Sequence, residues 1–581
     1  MTAPAAAPAA TARHQGGEGP DSRRTRPLRI AFLARHVGYL RNFDSVLALF
    51  AERGYDVHVI LHIDEASAQG EKVLVDELRS AYPAIRFGLA PALERDVWWV
   101  LTKAIRSSID YLRYVDPRYD RAPVLRTRSE KRIPNLLLAL RGHFAKHPRL
   151  GARLFAWLKT LERGIPVNPA IEHFLAGLRA DVALFTPLID LGSQQLDYLI
   201  AAKALGLRTV LCVMSWDHLS SKSVIRVLPD MVTVWNETQK REAIELHGVP
   251  EQRIVVTGAQ CFDSWFGRSP FTSRSEFCHR VGLDPDRPFI LYVCSSLMRG
   301  SAPESDFLPR WIERVRDHLD PSLRDAGILV RPHPKRAAEW TRVDLGRFSN
   351  VVVWPQAGAF PVASQARRDF FDSMSHSAAV VGINTSALIE AAIVGRPVHS
   401  ILLPEFRDNQ EGTLHFHYLL TDGGGLLHVA TSFPEHLDQL AEALANGQRA
   451  RLRNERFVEA FVRPYGLGVP ATPVFCDAVE RLSAAPAAPP KPPLRLHGLL
   501  RCLLFISAVG ARAALRRARR TATTVALLQR EVETQGLPRG LVSFSGRGAR
   551  AAFKLDWALG LRAARRIGRT LGATVRRMAA R

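Results

Sequence analysis

The sequence predicts an α/β protein of two doubly wound, Rossmann-like domains that face a cleft, followed by a basic helical C-terminal tail. Three observations carry this. Short β-branched runs alternate with longer helical patterns from Arg29 onward, as βαβ units on a parallel sheet require. The alternation breaks near residue 265 and restarts after Pro288, so the series is used twice. A length of 581 residues exceeds what one hydrophobic core usually supports.

In chain order, residues 1–28 read as a disordered leader, because the Ala- and Pro-rich start has no apolar run of secretory type. Residues 29–265 form the first domain, with strands expected at Ile30–Ala34, Val57–Leu61, Val182–Phe185, Thr209–Met214, Val232–Trp235 and Ile254–Thr257. A helical insertion occupies about 93–178, a stretch rich in Leu, Arg and Trp without strand signals. Phe262, Trp265 and Phe266 are expected to pack a hinge within Cys261–Arg280. Residues 266–483 form the second domain, with strands at Phe289–Ser295, Ile328–Arg331, Val351–Trp354, Ala379–Ile383, Pro397–Leu402 and Leu426–Ala430. A Pro-rich linker spans 484–497, and a basic amphipathic tail spans 498–581.

The charge pattern separates body from tail. Residues 481–581 hold 21 Lys and Arg against three acids, which is +18 of the chain's net +23, leaving +5 for the 480 residues before them. The six cysteines have no CxxC or metal-ligand spacing, which fits a reducing compartment and no disulfide framework. No stretch reaches the ~20 apolar residues that a bilayer span needs, so the body is expected to be cytoplasmic. There is no GxxxxGK[ST] phosphate loop. Asp284-Pro-Asp286 reads as a turn rather than a metal motif, and His415-Phe-His417 lacks a third ligand, so no metal is expected.

Tandem parallel sheets place ligands at the carboxyl ends of their strands. Ile328-Leu-Val-Arg-Pro-His-Pro-Lys335 is a strand entering a proline-stiffened turn, so Arg331, His333 and Lys335 stand where cationic groups meet phosphate. In the segment 379–398, Asn384, Thr385 and Ser386 open a helix, and the free N–H groups of a helix start favour an anion. Glu390 lies one turn further among apolar neighbours, where a carboxylate suits the vicinal hydroxyls of a ribose. Met214–Lys222 gathers Trp216, an aromatic face for sugar stacking, with Asp217. Pro404–Thr413 supplies Arg407, Gln410 and Glu411 for the hydroxyls of a donor sugar. Arg35–Asn42 follows the first strand and brings His36 to the cleft, and Asp44 either adds a second base there or caps the next helix.

The run GINTSALIEAAIVGRPV resembles the donor-binding segment of GT-B glycosyltransferases and of nucleotide-sugar epimerases such as the UDP-GlcNAc 2-epimerases. The resemblance implies a GT-B architecture with Thr385 and Ser386 at the donor phosphates and Glu390 on the ribose. The R-P-H-P element resembles the HP motif of CDP-glycerol glycerophosphotransferases and bacterial sialyltransferases, which makes His333 a phosphate or leaving-group partner. Several GT-B enzymes carry an acceptor-activating base in the first βα loop, where His36 stands here. The WDHLSSK and PEFRDNQEGT segments resemble those of a bacterial GT-B-like group, and this names a fold rather than a substrate.

The expected activity is therefore metal-independent transfer of a sugar from a nucleotide-activated donor to a hydroxyl acceptor, in cell-envelope or surface glycan synthesis. Arg331, His333, Lys335, Asn384, Thr385 and Ser386 would hold the donor phosphates, and His36 or Asp217 would act on the acceptor. The nucleotide sugar is a co-substrate, with no cofactor permanently bound. The apolar run between Arg501 and Arg512 is long enough to lie on a bilayer but not to cross it. The tail is thus expected to hold the protein at an anionic membrane surface, with nucleic-acid binding or simple solubilisation as alternatives. A CDP-alcohol phosphotransferase of teichoic-acid type and a non-catalytic binding protein remain alternative activities.

Overall fold

The computed structural model describes residues 26–62, 69–91, 96–298, 300–446, 448–485, 501, 503–514, 516, 542–545 and 552–555. In the first domain, β1 (Arg29–Ala34), β2 (Asp56–Leu61), β3 (Ile85–Leu89), β4 (Val182–Thr186), β5 (Arg208–Cys212), β6 (Met231–Val234) and β7 (Ile254–Val256) form one parallel sheet in the order β3-β2-β1-β4-β5-β6-β7. In the second, β8 (Phe289–Val293), β9 (Gly327–Arg331), β10 (Val351–Val353), β11 (Ala379–Val381), β12 (Val398–Ile401) and β13 (His428–Ala430) form another in the order β10-β9-β8-β11-β12-β13. The central strands are buried on both faces, which is why they read as continuous apolar runs. Both sheets reverse strand order beside their first strand, between β1 and β4 and between β8 and β11. Loops at such a reversal open a crevice for ligands. Two doubly wound domains facing one cleft make this a GT-B architecture.

Three features depart from the sequence reading. Ile85–Leu89 is an edge strand that the reading omitted; Arg86, Gly88 and Leu89 are open to solvent, so it has no apolar run. The helix Ala471–Ala484, read with the second domain, lies on the first. Phe475, Cys476 and Val479 join that domain's core, Phe475 packs on Phe43 at 6.1 Å, and Arg53 binds Asp477 at 2.8 Å. Most of the tail lies outside the described residues, the segment from Trp557 and the linker at 486–497 included. Residues 503–514 are helical, and Val542–Ser545 pairs antiparallel with Ala552–Leu555, a hairpin that a wholly helical tail does not contain.

The insertion is helical from Trp99 to Leu178 and has its own small core around Ile109, Leu137 and Leu158. Its buried Arg113 donates to the Leu219 and Lys222 carbonyls at 2.6 and 2.7 Å, fixing the loop after β5. At the hinge, Phe262 packs edge-on against Trp235, and Trp265 packs on Phe370 and Phe371. Asp263 accepts from the Ala471 and Thr472 amides and from Arg463, tying the returning chain to the hinge. Among the described residues no helix is long and apolar enough to cross a membrane.

Candidate functional site

Between the sheets lies a cavity of about 1410 Å³, lined from both domains. Its second-domain wall begins at the carboxyl end of β9. Arg331 is buried there, with its guanidinium over the Trp354 and Phe370 rings at 5.0 and 5.2 Å and Nη1 donating to Ser373 Oγ at 2.8 Å. No carboxylate among the described residues lies within ion-pair distance of it. Burial lowers its pKa to about 10, with Asp369 opposing. A buried cation without a counter-ion, lining a cavity, is a place where an anion is stabilising. His333 follows, its Nδ1 accepting from the Lys335 amide at 3.3 Å. Burial, Lys335, Arg41 and Arg336 hold it down at about 4, so the ring is neutral. An accepting Nδ1 puts the single proton on Nε2, which makes His333 a hydrogen-bond donor there. Lys335 is exposed at the cavity rim.

The turn after β11 is more structural than the sequence suggested. The Asn384 amide N–H donates to Ser295 Oγ at 3.0 Å, and its side chain donates to the Asn409 carbonyl, so it pins together the loops after β8, β11 and β12. Thr385 Oγ1 accepts from the Ala387 amide at 3.4 Å, and Ser386 precedes the helix Ala387–Ile393. Glu390 differs. Its carboxylate lines the cavity and has no hydrogen-bond or ion-pair partner among the described residues. Burial raises it to about 7, with Arg41 opposing. A half-desolvated carboxylate with its acceptor sites unused can recognise a diol.

On the first-domain wall, His36 opens the loop after β1, its Nδ1 accepting from the Gly38 amide at 3.1 Å and its ring 4.2 Å from Tyr39. Arg41, in the same loop, was not singled out from the sequence. It sits 5.9 Å over the Phe360 ring of the second domain, and its charge acts on both His333 and Glu390. One cation thus reaches across the cleft to both. Asp44 bonds Arg367 across the cleft at 2.7 Å, so its carboxylate is a latch between the domains.

Of the expected sugar or acceptor contacts, Trp216, Asp217 and Arg407 line the cavity, whereas Gln410 and Glu411 lie off it. Trp216 is 5% exposed, packed among Trp235 and Phe262 with its edge on His415 at 4.7 Å, so its ring is not an open stacking face. Tertiary burial overrides its polar sequence neighbours. Asp217 accepts from the Ser215 and Ser221 hydroxyls at 2.6 and 2.8 Å. Burial would raise it, but Lys222, His415 and those hydroxyls hold it far below the usual carboxylate range. It is ionised and a weak base. Gln410 is wholly buried, its amide donating to the Ile401 carbonyl and Ser400 Oγ at 3.0 Å, and it does not line the cavity. Glu411 also lies off the cavity, an exposed partner of Arg407 at 3.8 Å; Arg407 itself reaches the rim. Among the described residues no group of three His, Cys, Asp or Glu is arranged to hold a metal ion.

The cavity lining carries nine Lys and Arg against five Asp and Glu, an excess that favours an anionic ligand. Val124, Thr127, Arg128 and Lys131 of the insertion complete its first-domain side.

No family model matches the chain, and no curated protein matches it. Among solved structures it is similar to a glycosyltransferase from Rickettsia africae, at 10% identity over 79% of this chain and all of that one, with a TM-score of 0.46. It is also similar to the Neisseria meningitidis UDP-GlcNAc 2-epimerase bound to UDP-GlcNAc, at 11% identity over 78% of this chain and all of that one, with a TM-score of 0.45. WaaG, a glycosyltransferase of lipopolysaccharide biosynthesis, is 13% identical over 78% of this chain and all of its own, with a TM-score of 0.39.

Proposed function

We propose that the cleft binds a nucleotide-activated sugar and that the protein transfers the sugar to a hydroxyl acceptor. The observation that carries this is the pairing of an unpartnered carboxylate, Glu390, with cationic and donor groups about one cavity: Arg331 and His333 on its own domain, Arg41 opposite. A diphosphate needs the cations and a ribose diol needs the carboxylate. In the transfer step the acceptor oxygen bonds to the anomeric carbon as the carbon–oxygen bond to phosphate breaks. The electron pair goes to the phosphate oxygen, where Arg331, Arg41 and the His333 Nε2–H offset the developing charge. Lys335, Thr385 and Ser386 lie within the same lining for the phosphates. His36 is the acceptor base in this reading, taking the proton at Nδ1 once its contact with the Gly38 amide opens, since Asp217 is held too far down. This chemistry asks for no metal ion. An envelope or surface-glycan acceptor, and a place at the inner face of a membrane, complete the reading.

A second reading, a CDP-alcohol phosphotransferase, is favoured by the Arg331-Pro332-His333 turn alone, and it would use the same cations. Isothermal titration with UDP, GDP, CDP, dTDP and ADP separates the two. One diphosphate binds the wild type, and Arg331→Met or Arg41→Met each weakens it by about tenfold or more. Selective binding of CDP favours the phosphotransferase. Unchanged affinity in both variants removes the phosphate site from this cleft.

A further inference from the structure

Helix Pro148–Glu162 has two faces. Gly151, Leu158 and Glu162 turn inward against the helix Trp99–Arg113, where Arg106 binds the buried Glu162 at 2.9 Å. Leu150 and Trp157, seven residues apart, share the outward face with Arg153 between them, and are 42% and 58% exposed. The preceding short helices repeat the pattern: Leu137 packs inward, while Leu136 and Leu140 are 75% and 43% exposed. Residues 131–163 contain eight Lys and Arg and one acid, and that acid is the buried Glu162. The small net charge of the body conceals this. Helical residues 503–514 reach the start of the insertion. Phe505 meets Trp98 at 5.8 Å, and Leu503, Ile506 and Val509 stay exposed.

We infer that this face of the helical insertion docks on an anionic phospholipid bilayer. Exposed leucines and a tryptophan set among cations are what the headgroup boundary accepts, with aliphatic groups in the acyl edge, the indole at the interface and Lys and Arg on lipid phosphates. A nucleic-acid backbone would take the cations but offers nothing to Leu136, Leu140 and Leu150. A second copy of the same face would bring like charge against like. The helix Pro123–Glu130 of this insertion lines the cavity through Val124 and Thr127. On the proposed transferase reading, docking would therefore deliver a lipid-borne acceptor to the first-domain side of the cleft. Docking itself does not depend on that reading.

The test is co-sedimentation of the full chain with vesicles of phosphatidylcholine alone or mixed with phosphatidylglycerol. Three chains are compared: wild type, Leu136→Ser/Leu150→Ser/Trp157→Ser, and Arg149→Glu/Arg153→Glu. Melting temperature and nucleotide affinity in solution are measured alongside, and surface changes of this kind leave both near wild type. The wild type is expected to bind the mixed vesicles about tenfold or more tightly than phosphatidylcholine. The apolar variant loses about tenfold, and the charge variant loses the preference for anionic lipid. The inference is overturned if both variants bind mixed vesicles as the wild type does, which would assign binding to the tail. It is equally overturned if the wild type ignores vesicles but binds duplex nucleic acid, or forms a dimer that the apolar variant dissociates. Loss of vesicle binding with nucleotide affinity intact separates this face from the cleft.

Discussion

Burial holds the Glu390 carboxyl at about 7, above its ordinary 4.5, so the folded state binds that proton more tightly than the unfolded chain. Stability from this site is therefore lost as pH rises from about 4.5 to about 7, and is level above that. Glu390→Gln removes the loss. In urea denaturation it should be more stable than wild type at pH 8, by on the order of 2 kcal/mol, and the gap should close towards pH 4.5. A gap independent of pH would contradict the burial argument. If the carboxylate form accepts from a ribose diol, nucleotide affinity rises with pH through this range in the wild type and rises less in Glu390→Gln. Glu390 was legible in the sequence because a lone acid in an apolar helix costs stability and so points to a ligand. Arg41 was not, because only the fold distinguishes it from the neighbouring basic loop residues. Gln410 was misplaced because an amide in a polar segment looks exposed until its packing partner, the β12 backbone, is known, and Trp216 lines the cavity as expected but with its ring largely buried against His415.

Strand elements were largely legible, since strands buried on both faces must be apolar throughout. The edge strand Ile85–Leu89 escaped because one side of it faces water. The return of Ala471–Ala484 to the first domain also escaped, since an amphipathic helix does not say which core its face covers. That helix has a testable weight. Phe475→Ala removes a ring buried against Phe43 and should cost about 3–5 kcal/mol in a urea melt, while the corresponding change at exposed Tyr465 should cost little. A second bridging element is the segment 355–363 after β10. Val362 and Phe360 join the first-domain core cluster, His333 packs edge-on to Phe360 at 5.8 Å, and Gly358 (φ +64) lies so near the Pro334 backbone that a Cβ would clash. This strap holds the His333 turn to the opposite domain.

Across the whole molecule, charge and shape assign different work to different faces. The cleft is cationic between two sheets, and the insertion is basic and apolar on the outside. Acids elsewhere in the body offset the second of these, so the body's small net charge hid it in the totals. What the architecture leaves open, the base, sugar and acceptor, is decided by a few side chains whose neighbours come from distant parts of the chain. The central claim is that this cleft is a nucleotide site with Glu390 on the ribose. A thermal-shift screen of the full chain against UDP, GDP, CDP, CMP, dTDP and ADP tests it most directly, with Glu390→Ala beside the wild type. The account predicts that at least one nucleotide stabilises the wild type, by about 2.7 kcal/mol at 100 times its Kd, and leaves the variant nearly unmoved. No shift with any nucleotide, or an equal shift in both chains, would contradict it.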